Sequence, residues 1–279
     1  MTADRDQVEL GQVQETLFIP LVGRAEETRK RRPVLRDPKA AEILESVGFD
    51  LAKYSRAGGW TTVIRTAIFD MWIRNFLAEN QGGSVVELGT GLNTRFERLD
   101  NGTVHWIDLD LPDTIALRRR FFTDTDRRRM VAASVTDNSW MPTVRELPGP
   151  YFFVADGVLA YLTEEDVTRT LASLAEQFPG ALIALDSYSQ QMMTREHRMA
   201  DRRGIARWQW ACDDPYSLEP LGLRVVDAAT VPRPPRSLRA TLPTKRRLML
   251  AAAAPLLGRA MMTTLFRAAS SEPRIGEPD

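Results

Sequence analysis

The chain has 279 residues, 43% hydrophobic and 27% charged, which fits one large globular unit, or such a unit with a lid, and excludes a disordered tail or a collagen-like rod. Its 37 basic and 37 acidic residues cancel, so bulk electrostatic capture of nucleic acid is not expected. One cysteine, Cys212, excludes an internal disulfide framework and a cysteine-rich zinc site, and two histidines, His105 and His197, are too few for a histidine-based metal site.

Residues 1–10 are polar and acidic and lack the apolar core of a signal peptide. No apolar run approaches the length of a membrane span. The stretch 248–257 is too short and has basic flanks, so a reducing cytoplasm is the expected compartment. Residues 8–22 carry a weak helical pattern that Pro20 interrupts. Asp37 then reads as an N-cap, with Pro38 at the first helical position. Ala41, Ile43, Leu44 and Val47 follow at helical spacing, and Gly48 ends the helix. A second helix over 61–79 carries a broad apolar face of Ile64, Ala67, Ile68, Met71, Trp72 and Leu77, and Gln81-Gly82-Gly83 stops it.

The pattern then changes. Strands are expected at 84–88, 104–109, 129–135, 151–155 and 181–185, with helices at 113–123 and 163–177. Such alternation argues for a parallel sheet covered on both faces and joined by right-handed crossovers. Beyond it, 190–211 reads as a helix, 223–228 as a strand and 245–267 as a basic helix.

The strongest local signal is Val85-Val86-Glu87-Leu88-Gly89-Thr90-Gly91-Leu92-Asn93-Thr94-Arg95, an apolar strand ending in an acid and two glycines. In open α/β sheets ligands sit beyond the carboxyl ends of the strands, and glycines let the backbone approach them. Thr94 stands where the third glycine of a dinucleotide fingerprint would be, and no Gly-Lys-Ser/Thr of a phosphate loop follows. A nucleoside without a pyrophosphate, such as S-adenosylmethionine, fits better, and a merely structural turn is the plainer alternative. About twenty residues further on come Asp108 and Asp110. A carboxylate there can accept from both ribose hydroxyls. Asp110 is favoured over Asp108, although Asp110 can equally cap the next helix.

The chain resembles the leucine carboxyl methyltransferase family, and within it the bacterial polyketide-associated, tetracenomycin-type O-methyltransferases. The resemblance rests on an ordered set of segments over residues 12–225. These are Glu15 to Leu21 with Arg24, Ala25 and Glu27; Leu35 to Ala41; Ile64-Arg65-Thr66 with Asp70; Glu87 to Arg95; Asp108 to Pro112; and Asp156 to Leu162. It implies a Rossmann-like class I α/β methyltransferase with a mostly parallel, seven-stranded sheet. Residues 1–80 would form a helical cap, 81–187 the S-adenosylmethionine-binding core, and 188–279 an acceptor and lid region.

The resemblance also implies roles. Arg65 grips the methionine carboxylate of the cofactor, a task suited to a bidentate guanidinium; a surface salt bridge to Asp70 or Glu79 is the alternative. Gly89, Thr90 and Gly91 form the cofactor loop with Asn93, where the family often has aspartate. Glu87 contacts or organises the methionine end, and Asp110 binds the ribose. Ser134 and Val135 lie at the adenine position, where Ser134 replaces a common aspartate. Asp156 takes the place of a usual glutamate beside the methionine portion, and Arg24 is a further basic contact.

Methyl transfer needs the acceptor oxygen, the methyl carbon and sulfur in line, so positioning dominates. A carboxylate acceptor is already ionised at neutral pH, whereas a phenol or alcohol needs a base. His105 reads as a core histidine. His197, in Arg195-Glu196-His197-Arg198, is the candidate base, a solvated helix face being the plainer reading. This scarcity of bases favours the carboxylate of a small-molecule acceptor, a polyketide or related secondary metabolite, over hydroxyl methylation. A non-catalytic cofactor-binding protein is a further alternative, supported by Asn93, Ser134 and Asp156. Tyr161, Tyr188 and Arg195 are candidates to shape the acceptor site, and Trp208 and Trp210 either line it or belong to the core. Residues 232–247 carry six basic residues and four prolines without an acid. A membrane-surface or carrier-protein contact is one reading of this tail. A packed lid or homodimer helix using Met261, Met262, Leu265 and Phe266 is the favoured one.

Overall fold

The computed structural model of the protein describes residues 12–47, 59–203, 206–258 and 260–270. Gly48, the expected stop of its helix, and residues 1–10 lie outside them. The strands are β1 (Ser84–Leu88), β2 (His105–Asp110), β3 (Arg128–Ala132), β4 (Tyr151–Ala155), β5 (Leu182–Tyr188), β6 (Leu223–Thr230) and β7 (Met261–Ala268). They form one sheet in the order β3-β2-β1-β4-β5-β7-β6. The first five strands pair in parallel, whereas β7 runs antiparallel to both β5 and β6. The sheet is therefore mixed.

The helices are α1 (Gln12–Thr28), α2 (Pro38–Val47), α3 (Gly59–Glu79), α4 (Arg95–Leu99), α5 (Pro112–Arg118), α6 (Met141–Arg145), α7 (Glu164–Gln177), α8 (Gln190–Arg203), α9 (Arg236–Thr241) and α10 (Thr244–Leu257). Pro20 does not break α1, which continues through it. Asp37 caps α2 by accepting from the Ala40 amide at 3.0 Å. Thr163 caps α7 in the same way through the Asp166 amide, with three acids in the first turn.

Period-2 alternation divides the core between the two faces. On β4, Phe152 packs with Ile64, Trp72 and Phe76 of α3, while its neighbour Phe153 packs with Trp140, Leu174 and Phe178 on the other face. A third cluster sets Phe18, Leu21, Ala40 and Ile43 of α1 and α2 over Leu92 and Ile115, so these helices cover the loop after β1. The strand order reverses between β1 and β4, which places a ligand crevice at their carboxyl ends.

Three expectations are corrected. Residues 245–267 do not form one helix: α10 stops at Leu257 and the chain returns as β7. A short apolar run fits either period, and here Thr263 and Thr264 add β-branched strand character. As a strand, this segment sends Leu265 to one core face and Phe266 to the other. The expected 190–211 helix ends at Arg203, and residues 206–211 are not helical, with the Gln209 amide donating to the Ala160 carbonyl at 2.7 Å and the Cys212 amide to the Tyr188 carbonyl at 2.9 Å. The third strand ends at Ala132, leaving Ser134 and Val135 in the loop beyond its carboxyl end.

Candidate active site

Gly89 and Gly91 turn the chain after β1 with φ of +65° and +51°, a region glycine enters without strain. The loop is enclosed on both sides. A Cβ on Gly89 would overlap Val158 Cγ2, and one on Gly91 would stand 3.0 Å from Leu17 Cδ2 of α1.

The two aspartates of β2 have different surroundings. Asp110 accepts from the Gly91 amide at 2.7 Å through Oδ2 and from the Leu111 amide at 2.8 Å through Oδ1. It is half-buried, and burial pushes its carboxyl up. A carboxylate has about four lone-pair sites, so acceptor capacity remains at the loop. Asp108, second choice for a ribose, is fully buried and committed. It meets Arg118 Nη2 at 3.0 Å and Arg128 Nε at 2.7 Å, and also accepts from Thr90 Oγ1 and Trp106 Nε1. Burial raises its carboxyl, but the two guanidiniums outweigh that and hold it below the ordinary range. Beside Asp110, the Ala133 amide donates to the Asp110 carbonyl at 2.9 Å and so places Ser134. Ser134 Oγ lies 2.9 Å from Thr136 Oγ1, and Val135 is part of the core.

A ladder of buried charge joins the cap helices to the crevice. Arg24 donates to Asp37 Oδ2 at 2.8 Å and to the Leu92 carbonyl at 3.0 Å. Arg98 bridges Asp37 and Asp70, each at 2.8 Å. Arg95 bonds Asp70 at 2.9 Å, Asp156 at 2.7 Å and Glu87. Arg65 pairs with Asp156 at 2.7 Å and Asp186 at 2.8 Å, and donates to the Tyr188 hydroxyl at 2.6 Å. The expected partners of Arg65, Asp70 and Glu79, are thus replaced by Asp156 and Asp186.

Four buried guanidiniums in this ladder face five carboxylates, Asp37, Asp70, Glu87, Asp156 and Asp186, and the exposed Arg74 stands 3.9 Å from Asp70 at its rim. Among the buried groups one negative charge is in excess when all are ionised. Glu87 and Asp186 are the two acids of the ladder whose carboxyls burial raises. Glu87 Oε1 accepts from Arg95 and from Asn93 Nδ2 at 2.6 Å, while its buried Oε2 has no partner among the described residues. Burial pushes its carboxyl up to about 7 against the pull of Arg95. Asn93 suits this place because its amide donates to Glu87, where an aspartate would set a second carboxylate. At Asp70 the balance is opposite: burial raises it, but Arg98 and Arg95 prevail and hold it at about 2.

A tyrosine and tryptophan wall stands next to Arg65. Tyr188 donates to Asp186 Oδ2 at 2.7 Å and its ring lies 4.0 Å from that of Trp208. Burial pushes the Tyr188 hydroxyl well above its ordinary range, and Tyr161 is near enough to bear on both Arg65 and Tyr188. The backbone carbonyl of Trp208 lies 2.6 Å from His197 Nε2. A carbonyl only accepts, so Nε2 carries the proton and Nδ1 is the free lone pair. Arg195 is exposed on α8, Trp210 lies in the core, and His105 starts β2 at the opposite end of the sheet.

Asp186 escapes a reading of the sequence, yet it carries the signal that marked Glu87, Asp110 and Asp156: an acid closing an apolar strand. The pairing of these acids is what brings the crevice together, and residues 18–175 match the leucine carboxyl methyltransferase family. The chain belongs to that family.

Similar proteins are methyltransferases by name. The tetracenomycin polyketide synthesis O-methyltransferase TcmP of Streptomyces glaucescens is 33% identical over 218 residues, 77% of this chain and 80% of that protein. An S-adenosyl-L-methionine-dependent methyltransferase of Gibberella zeae, dpfgK, is 26% identical over 247 residues, 78% of this chain and 81% of that protein. Among solved structures, a Thermobifida fusca protein provisionally assigned as a methyltransferase has a TM-score of 0.60 at 16% identity, covering 90% of this chain and 95% of that one. That likeness shows the shared fold. As a member of the family the chain is a methyltransferase.

Proposed function

We propose that this S-adenosylmethionine-dependent methyltransferase acts on an oxygen of a carboxylate, in a polyketide or related secondary metabolite. The cofactor fits the crevice on two grounds. The buried ladder has one carboxylate in excess and an unpartnered acceptor at Glu87 Oε2. A donor carrying a sulfonium and an ammonium against one carboxylate has the complementary charge. When bound, S-adenosylmethionine supplies a methyl group activated on sulfur.

The residues divide the work as follows. Asp110 would accept from the ribose hydroxyls, with Gly89, Thr90 and Gly91 giving backbone access. Ser134 and Val135 would border the adenine. Glu87, held by Asn93 and Arg95, would accept from the ammonium of the methionine portion. Arg65 and Asp156 would flank its carboxylate. Arg65 spends Nη1 on Asp186 and Tyr188, while Nε faces Asp156 at 2.7 Å without a hydrogen bond, so a bidentate grip would use the Nε and Nη2 edge. The helices before residue 80 would act as the cap, and the segment after 187, with Tyr188, Trp208 and Tyr161, would bind the acceptor and exclude water.

The carboxylate reading rests on the scarcity of bases: of the two histidines, His105 starts β2 at the opposite end of the sheet, which leaves His197 alone, its Nε2 proton held by the Trp208 carbonyl. A carboxylate needs no base, so such a site suffices. The kinship with TcmP supports a polyketide acceptor. Turnover to S-adenosylhomocysteine, measured with aromatic carboxylic acids and matched phenols, tests it. At saturating donor, the rate with an acid should stay flat between about pH 6 and 8 and survive His197→Gln. Turnover of phenols alone, rising through one ionisation and lost in His197→Gln, would assign hydroxyl methylation with Nδ1 as base. No turnover with any acceptor would leave cofactor binding as the activity.

A further inference from the structure

Residues 228–271 contain no aspartate or glutamate, and the fold brings three of their arginines to one groove. A groove of about 630 Å³ between α9 and α10 is lined by the buried Pro232 and Leu250 and by the exposed Arg233, Arg239 and Arg247. Among the described residues none of these three guanidiniums, nor Lys245, pairs with a carboxylate; Arg247 donates only to Thr244 Oγ1 within its own helix. The same helix turns large apolar side chains outward. Leu248 is 67% exposed and Met249 40%, while Leu250 between the two turns is the buried anchor at 2%.

Exposed apolar side chains on α10 beside unpaired cations of the adjoining groove suit a lipid interface, where headgroups take the charges and the acyl boundary takes the side chains. Water solvates the cations but does not reward the exposed apolar side chains. The chain as a whole is neutral, so the attraction would be local to this face. Among the described residues no helix is long and apolar enough to cross a membrane. A contact in the plane of the surface needs no crossing.

We propose that the α9–α10 face docks on an anionic lipid surface, with Leu248 and Met249 entering the acyl boundary and Arg233, Arg239 and Arg247 on the phosphate headgroups. The C-terminal end of the same helix leads to the candidate acceptor wall. From α10 the chain runs directly into β7, where the Ser189 amide donates to the Ala260 carbonyl at 3.1 Å and Met261 pairs with Tyr188. Delivery of an apolar acceptor from the lipid to that wall rests on the proposed acceptor site; the docking itself does not.

Co-sedimentation of the full chain with vesicles tests the docking without donor or acceptor present. Vesicles of mixed phosphatidylglycerol and phosphatidylcholine should bind the protein, pure phosphatidylcholine should not, and binding should weaken as salt rises. The double variant Leu248→Ser, Met249→Ser and the triple variant Arg233→Gln, Arg239→Gln, Arg247→Gln should each lower binding about tenfold or more, with vesicle-free turnover unchanged. Leu248→Trp should tighten binding and shift tryptophan fluorescence to the blue on anionic vesicles. Failure of wild type to bind anionic vesicles overturns the proposal, whether or not an acidic protein occupies the face instead. Binding indifferent to the Leu248 and Met249 substitutions overturns it too, by reducing the contact to adsorption of charge. Neither result touches methyl transfer, which the turnover assay reads separately.

Discussion

Arg65 Nε on α3 lies 2.7 Å from Asp156 Oδ1 beyond β4, an ion pair that fastens the cap to the point where strand order reverses. Arg65 also holds Asp186 and Tyr188. Removing a partner from buried charges costs more than the pair itself contributes, because the remaining charge stays desolvated. Arg65→Ala should therefore destabilise the protein by about 3–5 kcal/mol in urea unfolding. Arg65→Lys keeps the charge and loses the fork, so it should fold and bind S-adenosylmethionine about 1.5–3 kcal/mol more weakly in calorimetry. An unchanged dissociation constant in the lysine variant removes Arg65 from the donor site.

The Glu87 carboxyl, pushed up to about 7 by burial, makes stability depend on pH. Its folded value is raised above the unfolded one, about 4.3, so the folded state holds the proton more tightly. That contribution is fully present below about pH 4.3 and is lost as pH rises through about 7, to a total of order 3 kcal/mol. Glu87→Gln should flatten this slope, leaving the part due to Asp110 and Asp186, which burial also raises. Donor affinity should move the other way. Wild type should bind S-adenosylmethionine more tightly at pH 8 than at pH 6, because the ionised carboxylate receives the cation, and the glutamine variant should show no such trend. Parallel urea and calorimetric titrations of both proteins check the pair of signs.

How far sequence alone reaches is clear from particular elements. The runs at 84–88 and 151–155 are short, apolar and bounded by turn residues, and both are strands at those limits. The segment 261–268 is equally strand-like in composition, but it continues a helical, alanine-rich stretch, and its strand state comes from β5 and β6 on either side. At the site, acids at strand ends are legible one at a time. Which cation meets which acid is not, since Arg65 and Asp186 are 121 positions apart and only the strand order brings them together. The same holds for Asp108, which looks as suitable as Asp110 until Arg118 and Arg128 fold over it.

Those two aspartates should respond differently to the same substitution. Asp108→Asn leaves two buried guanidiniums without their counter-charge and should cost about 3–5 kcal/mol of stability. Asp110→Asn keeps a side-chain oxygen for the Gly91 amide and should cost less than about 1.5 kcal/mol, while weakening donor binding about tenfold or more. Thermal unfolding and calorimetry on both variants separate a structural acid from a binding one. Equal donor affinity in Asp110→Asn and wild type would remove the ribose role from Asp110.

Asn93 offers the sharpest test of the charge balance, since its Nδ2 donates to Glu87 Oε1 at 2.6 Å. Asn93→Asp restores the residue common in the resembling family but replaces the donor with a second carboxylate in the same buried space. Like charges at that distance cannot both ionise cheaply, so one carboxyl of the pair should stay protonated to higher pH. The folded value of the pair is thereby raised, and the variant's stability should be near wild type at low pH and fall behind as pH rises. The expected deficit is about 1–3 kcal/mol at pH 8, shrinking by pH 5.5, read from urea midpoints at the two pH values. A loss of the same size at both would mean that Asn93 acts through the shape of the loop, through the Thr94 amide bonded to its Oδ1 at 2.9 Å, and not through the charge on Glu87.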